Sequence, residues 1–189
     1  MKPKDKWRRI MRSPAIFFVI FVTLAFAVAI AAYASTTSQK RPPDLLPKAV
    51  QTGHVVVKFL GMTLYNATLY TQSEQVFEWT YPFVLELDYS RPFSDAFLIG
   101  ATMSELDRME GRVDDRGAIE TALGTCFKSV DVGDVYTAFS KNPNQLAFFL
   151  NGTQTCQLNF PNISPRVLGI WLSENTRNTR INRQLRGLN

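Results

Sequence analysis

The chain reads as an α+β domain in which an antiparallel sheet carries its helices on one face. Three observations lead there. Phe83, Leu85, Leu87 and Tyr89 alternate with Val84, Glu86, Asp88 and Ser90, the period of two of a half-buried strand. Gln145 to Leu150 and Thr153 to Phe160 are two strand-like runs joined by Asn151-Gly152, the pair that favours a two-residue hairpin turn. Between these regions, Ile119, Ala122, Leu123, Cys126 and Phe127 recur at the i, i+3, i+4, i+7, i+8 spacing of an amphipathic helix.

Taken from the N-terminus, residues 1–34 form a targeting segment. Lys2, Lys4, Lys6, Arg8, Arg9 and Arg12 make a cationic head, and Ala15 to Ala32 carries no charge. The order matches a secretory signal peptide or an N-terminal signal anchor. Ala32-Tyr33-Ala34 has the small-x-small form of a cleavage site, which favours removal. Residues 15–32 would span about 27 Å as a helix, which favours retention in an inner membrane. Either outcome exports the rest, and a signal of this form fits a bacterial periplasm. Residues 35–49, polar and containing Pro42-Pro43, read as a linker, and residues 50–189 as one domain.

Within the domain, strands are expected at Val55 to Leu60, Leu64 to Thr71, Phe83 to Tyr89 and Val135 to Ser140, followed by the two strands of the Asn151-Gly152 hairpin. Gly61-Met62 separates the first pair. Ser94 is placed to cap a helix whose Ala96, Ile99, Met103 and Leu106 share one face, and Gly111 to Asp115 ends it. Asn162 to Leu172 and Thr179 to Leu188 read as closing helices.

Composition excludes several function classes. The formal charge of +5 is wholly accounted for by the six cations and one acid of residues 1–34, so the exported part is neutral and a nucleic-acid partner is excluded. Arg177, Arg180, Arg183 and Arg186 recur at every third residue, as on a solvated C-terminal helix or one that touches anionic lipid. His54 is the single histidine, so no His-based metal cluster can be assembled, and no metal or other cofactor is expected. No G-x-S-x-G or Gly-rich phosphate loop is present. Cys126, on the apolar face of its helix, and Cys156, alternating inward with Leu158 and Phe160, both point to the interior. That leaves a helix-to-sheet disulfide or two separate buried thiols.

Gly61-Met62-Thr63-Leu64-Tyr65-Asn66-Ala67-Thr68-Leu69-Tyr70 resembles the G-x-x-x-Y-x-A-x-L-[YW] segment of bacterial chalcone isomerase-like proteins. Pro82 to Arg91 is similar to that family's P-F-A-L-x-L-x-Y-x-R strand, and Ser104 to Arg108 resembles its S-x-x-E-M-x-R helix with the acid displaced. Gly133-Asp134, Phe148 to Gly152 and Gly169-Ile170-Trp171-Leu172 match its G-D, F-Y-x-N-G and G-I-W-L elements, so the resemblance runs from about Gly53 to the C-terminus. It implies a chalcone isomerase-like open-faced β-sandwich with an apolar cleft between sheet and helices.

In the plant isomerases an arginine on the preceding strand stabilises the phenolate, and counting back from Tyr65 puts Val56 there. Phe97 and Ser104 fall where those enzymes use a tyrosine and an asparagine, and Lys58, Arg91 or Arg180 would have to replace the lost cation. The expectation is a non-catalytic exported protein with no catalytic residue, binding an apolar small molecule, a lipid or an envelope partner, with the membrane reached through its N-terminal segment. An intramolecular lyase or isomerase for a phenolic or enone substrate is the alternative. The loss of the arginine points to a neutral ligand or none. Tyr65, Thr68, Tyr70 and Ser104 are the cleft candidates, though each also suits ordinary packing, and Trp171 reads as core.

Overall fold

Six strands follow one another in the sheet in the same order as in the chain, each antiparallel to the next, in a computed structural model that describes residues 42–73 and 76–188. They are β1 (Ala49–Phe59), β2 (Met62–Gln72), β3 (Phe83–Tyr89), β4 (Val135–Asn142), β5 (Gln145–Leu150) and β6 (Thr153–Asn159). A single helical turn, α1 (Pro42–Leu45), precedes the sheet. Helices α2 (Asp95–Glu110) and α3 (Arg116–Cys126) lie between β3 and β4, and α4 (Ile163–Leu172) and α5 (Thr179–Leu185) close the chain. The expectations for residues 1–34, and the linker before residue 42, fall outside the described residues. No helix among the described residues is long and apolar enough to cross a membrane.

Alternation decides which face of the sheet receives the helices. Phe83, Leu85, Leu87 and Tyr89 of β3 are buried in one core with Met103 and Leu106 of α2, Ile119 and Leu123 of α3, Val167, Leu168 and Leu172 of α4, and Leu185 of α5. Ser94 caps α2 as expected, its Oγ accepting from the Phe97 N–H at 3.2 Å. Arg166 of α4 joins the helical layer to itself. Its guanidinium donates to both Glu110 oxygens at 2.8 and 3.0 Å and to the two Asp115 oxygens at 2.9 and 2.7 Å.

Several boundaries differ from expectation, each for a local reason. β1 begins at Ala49 instead of Val55, because Gly53 and a register shift between Gln51 and Gly53 interrupt the alternation there. Leu46, inside the expected linker, is 1 % exposed and part of the core. The closing helix stops at Leu185. Of the C-terminal arginines, Arg177 holds Glu105 and Arg186 lies over the Phe77 ring at 5.5 Å, so the four do not form one solvated stripe.

Asn151 and Gly152 both take positive φ, 49° and 76°, as the hairpin signal requires. The β1–β2 turn falls one residue earlier than Gly61-Met62. It uses Leu60 (φ 49°) and Gly61 (φ 79°), with Phe59 paired to Met62. A leucine in the left-handed region is strained, and Leu60 is 83 % exposed, so packing recovers little of that cost. Leu60→Asn is expected to raise the unfolding free energy by about 1 kcal/mol. A urea midpoint at or below that of the parent chain would show that Leu60 makes compensating contacts.

Candidate functional site: an apolar cavity between sheet and helices

A cavity of about 500 Å³ lies between the sheet and the helical layer. Its floor comes from the inward positions of four strands, Leu64 and Tyr65 of β2, Leu85, Leu87 and Tyr89 of β3, Tyr136 and Ala138 of β4, and Phe148 of β5. Leu64 and Tyr65 are consecutive yet both face it. A bulge allows this, since Val57 pairs with Tyr65 and the next residue, Lys58, pairs with Thr63, leaving Leu64 without an opposite number. The roof comes from α2 and α4. Leu98, Ala101, Thr102 and Glu105 line it at the i, i+3, i+4, i+7 spacing, one stripe around α2 from the core residues Met103 and Leu106. Phe59 and Phe97 also line the cavity while 61 % and 57 % exposed, so they form its mouth.

The polar groups on this wall are few, and most are already committed. Tyr65 accepts a hydrogen bond from Trp171 Nε1 at 2.9 Å. Tyr136 donates to the Cys126 carbonyl at 3.2 Å and accepts from the Lys128 N–H at 2.7 Å, fixing the loop after α3 to the sheet. Among the described residues Glu105 is the one charged residue of the lining, and Arg108 Nε (2.8 Å) and Arg177 hold its carboxylate. Burial alone would raise the Glu105 pKa, but the hydrogen bonds from Arg177 and Arg108 outweigh it and hold the group ionised below its ordinary range. Among the described residues no Lys or Arg lines the cavity.

Tyr89 differs from its neighbours. Its ring lies 5.7 Å from that of Tyr65 and 6.5 Å from that of Tyr136, centroid to centroid. Burial, and after it the neighbouring Tyr65 and Tyr136 phenols, push its pKa well up, and no hydrogen bond contributes. Tyr65 is also raised by burial, with the Trp171 bond opposing. Both phenols are therefore neutral donors at any physiological pH.

The four candidates from sequence do not share this site. Tyr65 lines the cavity, but Thr68 and Tyr70 are an odd number of residues away along β2 and face the other side of the sheet. There the Thr68 hydroxyl meets His54 Nδ1 at 3.0 Å, and Tyr70 bonds Glu86. Ser104 is exposed on α2, off the stripe that includes Thr102 and Glu105. Val56 also faces away. It is 44 % exposed and paired with Asn66, while Val57 is the residue opposite Tyr65. Lys58, Arg91 and Arg180 do not reach the lining, and Trp171, read as core, is part of it. The expected inward cysteines form a Cys126–Cys156 disulfide, with Cα atoms 4.9 Å apart.

No protein-family model and no curated protein matches the chain. Among solved structures it is similar to a fatty-acid binding protein of Arabidopsis thaliana, with a TM-score of 0.58 over 75 % of this chain and 88 % of that one. The chain has the chalcone isomerase-like fold. Sequence identity to that neighbour is 8 %, so the likeness carries the architecture, an open antiparallel sheet with helices on one face, and the site must be read from its own residues.

Proposed function

We propose that this domain is a non-catalytic binding protein for an uncharged apolar small molecule or lipid, held in the cavity between β2–β5 and the helices α2 and α4. One observation carries the reading: about 500 Å³ of space, open at the Phe59 and Phe97 mouth, has an apolar wall with no cation among the described residues. A carboxylate ligand there would meet the ionised Glu105, at a desolvation cost that no positive charge of the lining offsets among the described residues. The fatty-acid binding neighbour supports an apolar ligand in general terms. The missing cation argues for a neutral one, and it leaves a phenolate transition state of an isomerase without its main stabilising charge. Exposed Phe59 and Phe97 at the mouth give such a ligand a partly apolar approach. The cationic head and apolar run of residues 1–34 support placing this binding at the periplasmic face of a cell envelope.

A neutral fluorescent probe, N-phenyl-1-naphthylamine, tests the reading. It is expected to brighten on binding the wild-type chain and to lose at least about tenfold in affinity in Ala101→Trp, whose indole would fill the roof. Equal affinity in the two, with the variant folded by circular dichroism, would place the probe elsewhere and count against the cavity.

A further inference from the structure

The hydrogen-bonding capacity left on the cavity wall is carried by hydroxyl groups. Tyr89 is 6 % exposed and Thr102 is 8 % exposed, both line the cavity, and neither hydroxyl has a hydrogen-bond partner among the described residues. Neither oxygen is sealed from the cavity space, so each can hydrogen-bond water there when the cavity is empty and a ligand atom that displaces that water. Tyr65 stands directly opposite Tyr89 in the β2–β3 register, and its oxygen already accepts from Trp171, which leaves its proton to give. Glu105 and Tyr136 are engaged by contrast. Both Glu105 oxygens are taken by arginines, and Tyr136 is engaged as donor and acceptor. An accepting ligand oxygen would meet the phenol protons of Tyr65 and Tyr89, whereas an anion would also meet Glu105.

We propose that Tyr89 and Tyr65 donate jointly to the carbonyl oxygen of an uncharged lipid, such as a ketone, ester or quinone, with Thr102 as a third donor from α2. The proposal rests on the cavity reading above and narrows it to one ligand class. The two phenols on neighbouring strands suit an oxygen that accepts two hydrogen bonds, and the apolar remainder of the wall suits the rest of such a molecule. Tyr89→Phe is a clean probe, because it removes a hydroxyl with no partner to orphan and leaves the ring contacts with Tyr65, Phe93 and Tyr136 in place.

The test uses the full chain in one detergent throughout, with displacement of N-phenyl-1-naphthylamine by 2-heptadecanone, heptadecane or palmitate at pH 7.5. The ketone is expected to bind about tenfold more tightly than the alkane, and more tightly than palmitate. In Tyr89→Phe the ketone preference should fall to about threefold or less, and alkane binding should not change. The carbonyl stretch of bound ¹³C-labelled ketone should move to higher frequency in the variant as a hydrogen bond is lost. Equal binding of ketone and alkane to the wild type, or an undiminished preference in Tyr89→Phe, would each overturn the proposal while leaving the cavity reading intact, and tighter binding of palmitate would overturn it together with the uncharged-ligand part of that reading. If none of the three displaces the probe, the cavity reading fails as well.

Discussion

Gly53→Ala is expected to destabilise the protein by about 3 kcal/mol or more, since an added Cβ meets closer backbone atoms there than at the other glycines compared in the described residues. A Cβ at residue 53 would overlap the backbone carbonyl oxygens of Gln184 and Leu185, at the C-terminal end of α5. Those atoms cannot rotate away as a side-chain tip could, so either β1 or α5 must move. α5 has little freedom to do so. Leu185 is fully buried, and Asn182 is 5 % exposed, with Nδ2 3.5 Å from the Trp171 carbonyl. Just beyond the helix, Gly187 (φ 67°) passes so close to β1 that a Cβ there would sit 3.0 Å from the Thr52 carbonyl. Displacing α5 therefore also disturbs Trp171, and through it the bond to Tyr65 at the cavity wall. Gly117→Ala is the matched control. It lies in α3, a Cβ there meets nothing within 4 Å, and the exchange should stabilise by about 0.5 to 1 kcal/mol through helix propensity. Opposite shifts of the two urea midpoints are expected, and a Gly53→Ala midpoint within about 1 kcal/mol of the wild type would show that β1 and α5 can separate at little cost.

Gly53 also shows where local pattern stops being informative. Residues in a strand interior are read by alternation, and a glycine there registers as an interruption, so β1 looked short. Its reason for being a glycine is a helix more than 120 residues later in the chain, which no window around it contains. Elements whose own periodicity is strong were legible: β3 from Phe83–Tyr89, the hairpin at Asn151-Gly152, α2 from its Ser94 cap. The fold class followed from these. The candidate site was legible only in part, because a contiguous motif is not a contiguous surface. Tyr65, Thr68 and Tyr70 stand within one resembling segment, but a period of two sends Thr68 and Tyr70 to the other face. The same rule, applied to β3, would have put Tyr89 beside Tyr65, since it is the last inward residue of the clearest strand. On α2 the choice lay between adjacent stripes, and the core stripe with Met103 and Leu106 has the stronger apolar signal, which hid the cavity stripe with Thr102 and Glu105. Val56, counted back from Tyr65, pairs with Asn66 and lies on the face away from the cavity, while Val57 is the residue opposite Tyr65.

Reduction of the Cys126–Cys156 disulfide is expected to cost about 3 to 4 kcal/mol, seen as a fall in the thermal midpoint of about 10 °C. The bond closes a loop with a sequence separation of 30, and in the chain-entropy description its effect is to restrict the unfolded ensemble. Its position adds a consequence for the cavity. Cys126 ends α3 directly before Phe127, whose ring meets Phe148 at 5.2 Å and Tyr136 at 6.0 Å, and Cys156 is the register partner of Phe148. The disulfide thus ties together the helix end and the strand that hold one aromatic corner of the wall. That corner has a second attachment, the Tyr136 hydroxyl, bonded to Cys126 O and Lys128 N. Loss of the cross-link should therefore lower the midpoint strongly and leave probe affinity below the transition within about twofold of the oxidised protein. The double variant Cys126→Ala/Cys156→Ala should fall slightly further than reduced wild type, because a buried sulfur is lost at Cys126, which is fully buried. Alkylation provides the covalent check, with two adducts appearing only after reduction. A midpoint that moves by less than about 2 °C would mean that the unfolded chain is already restricted without the bond. A parallel loss of probe affinity would instead assign the wall to the disulfide and make Tyr136 the weaker of its two attachments.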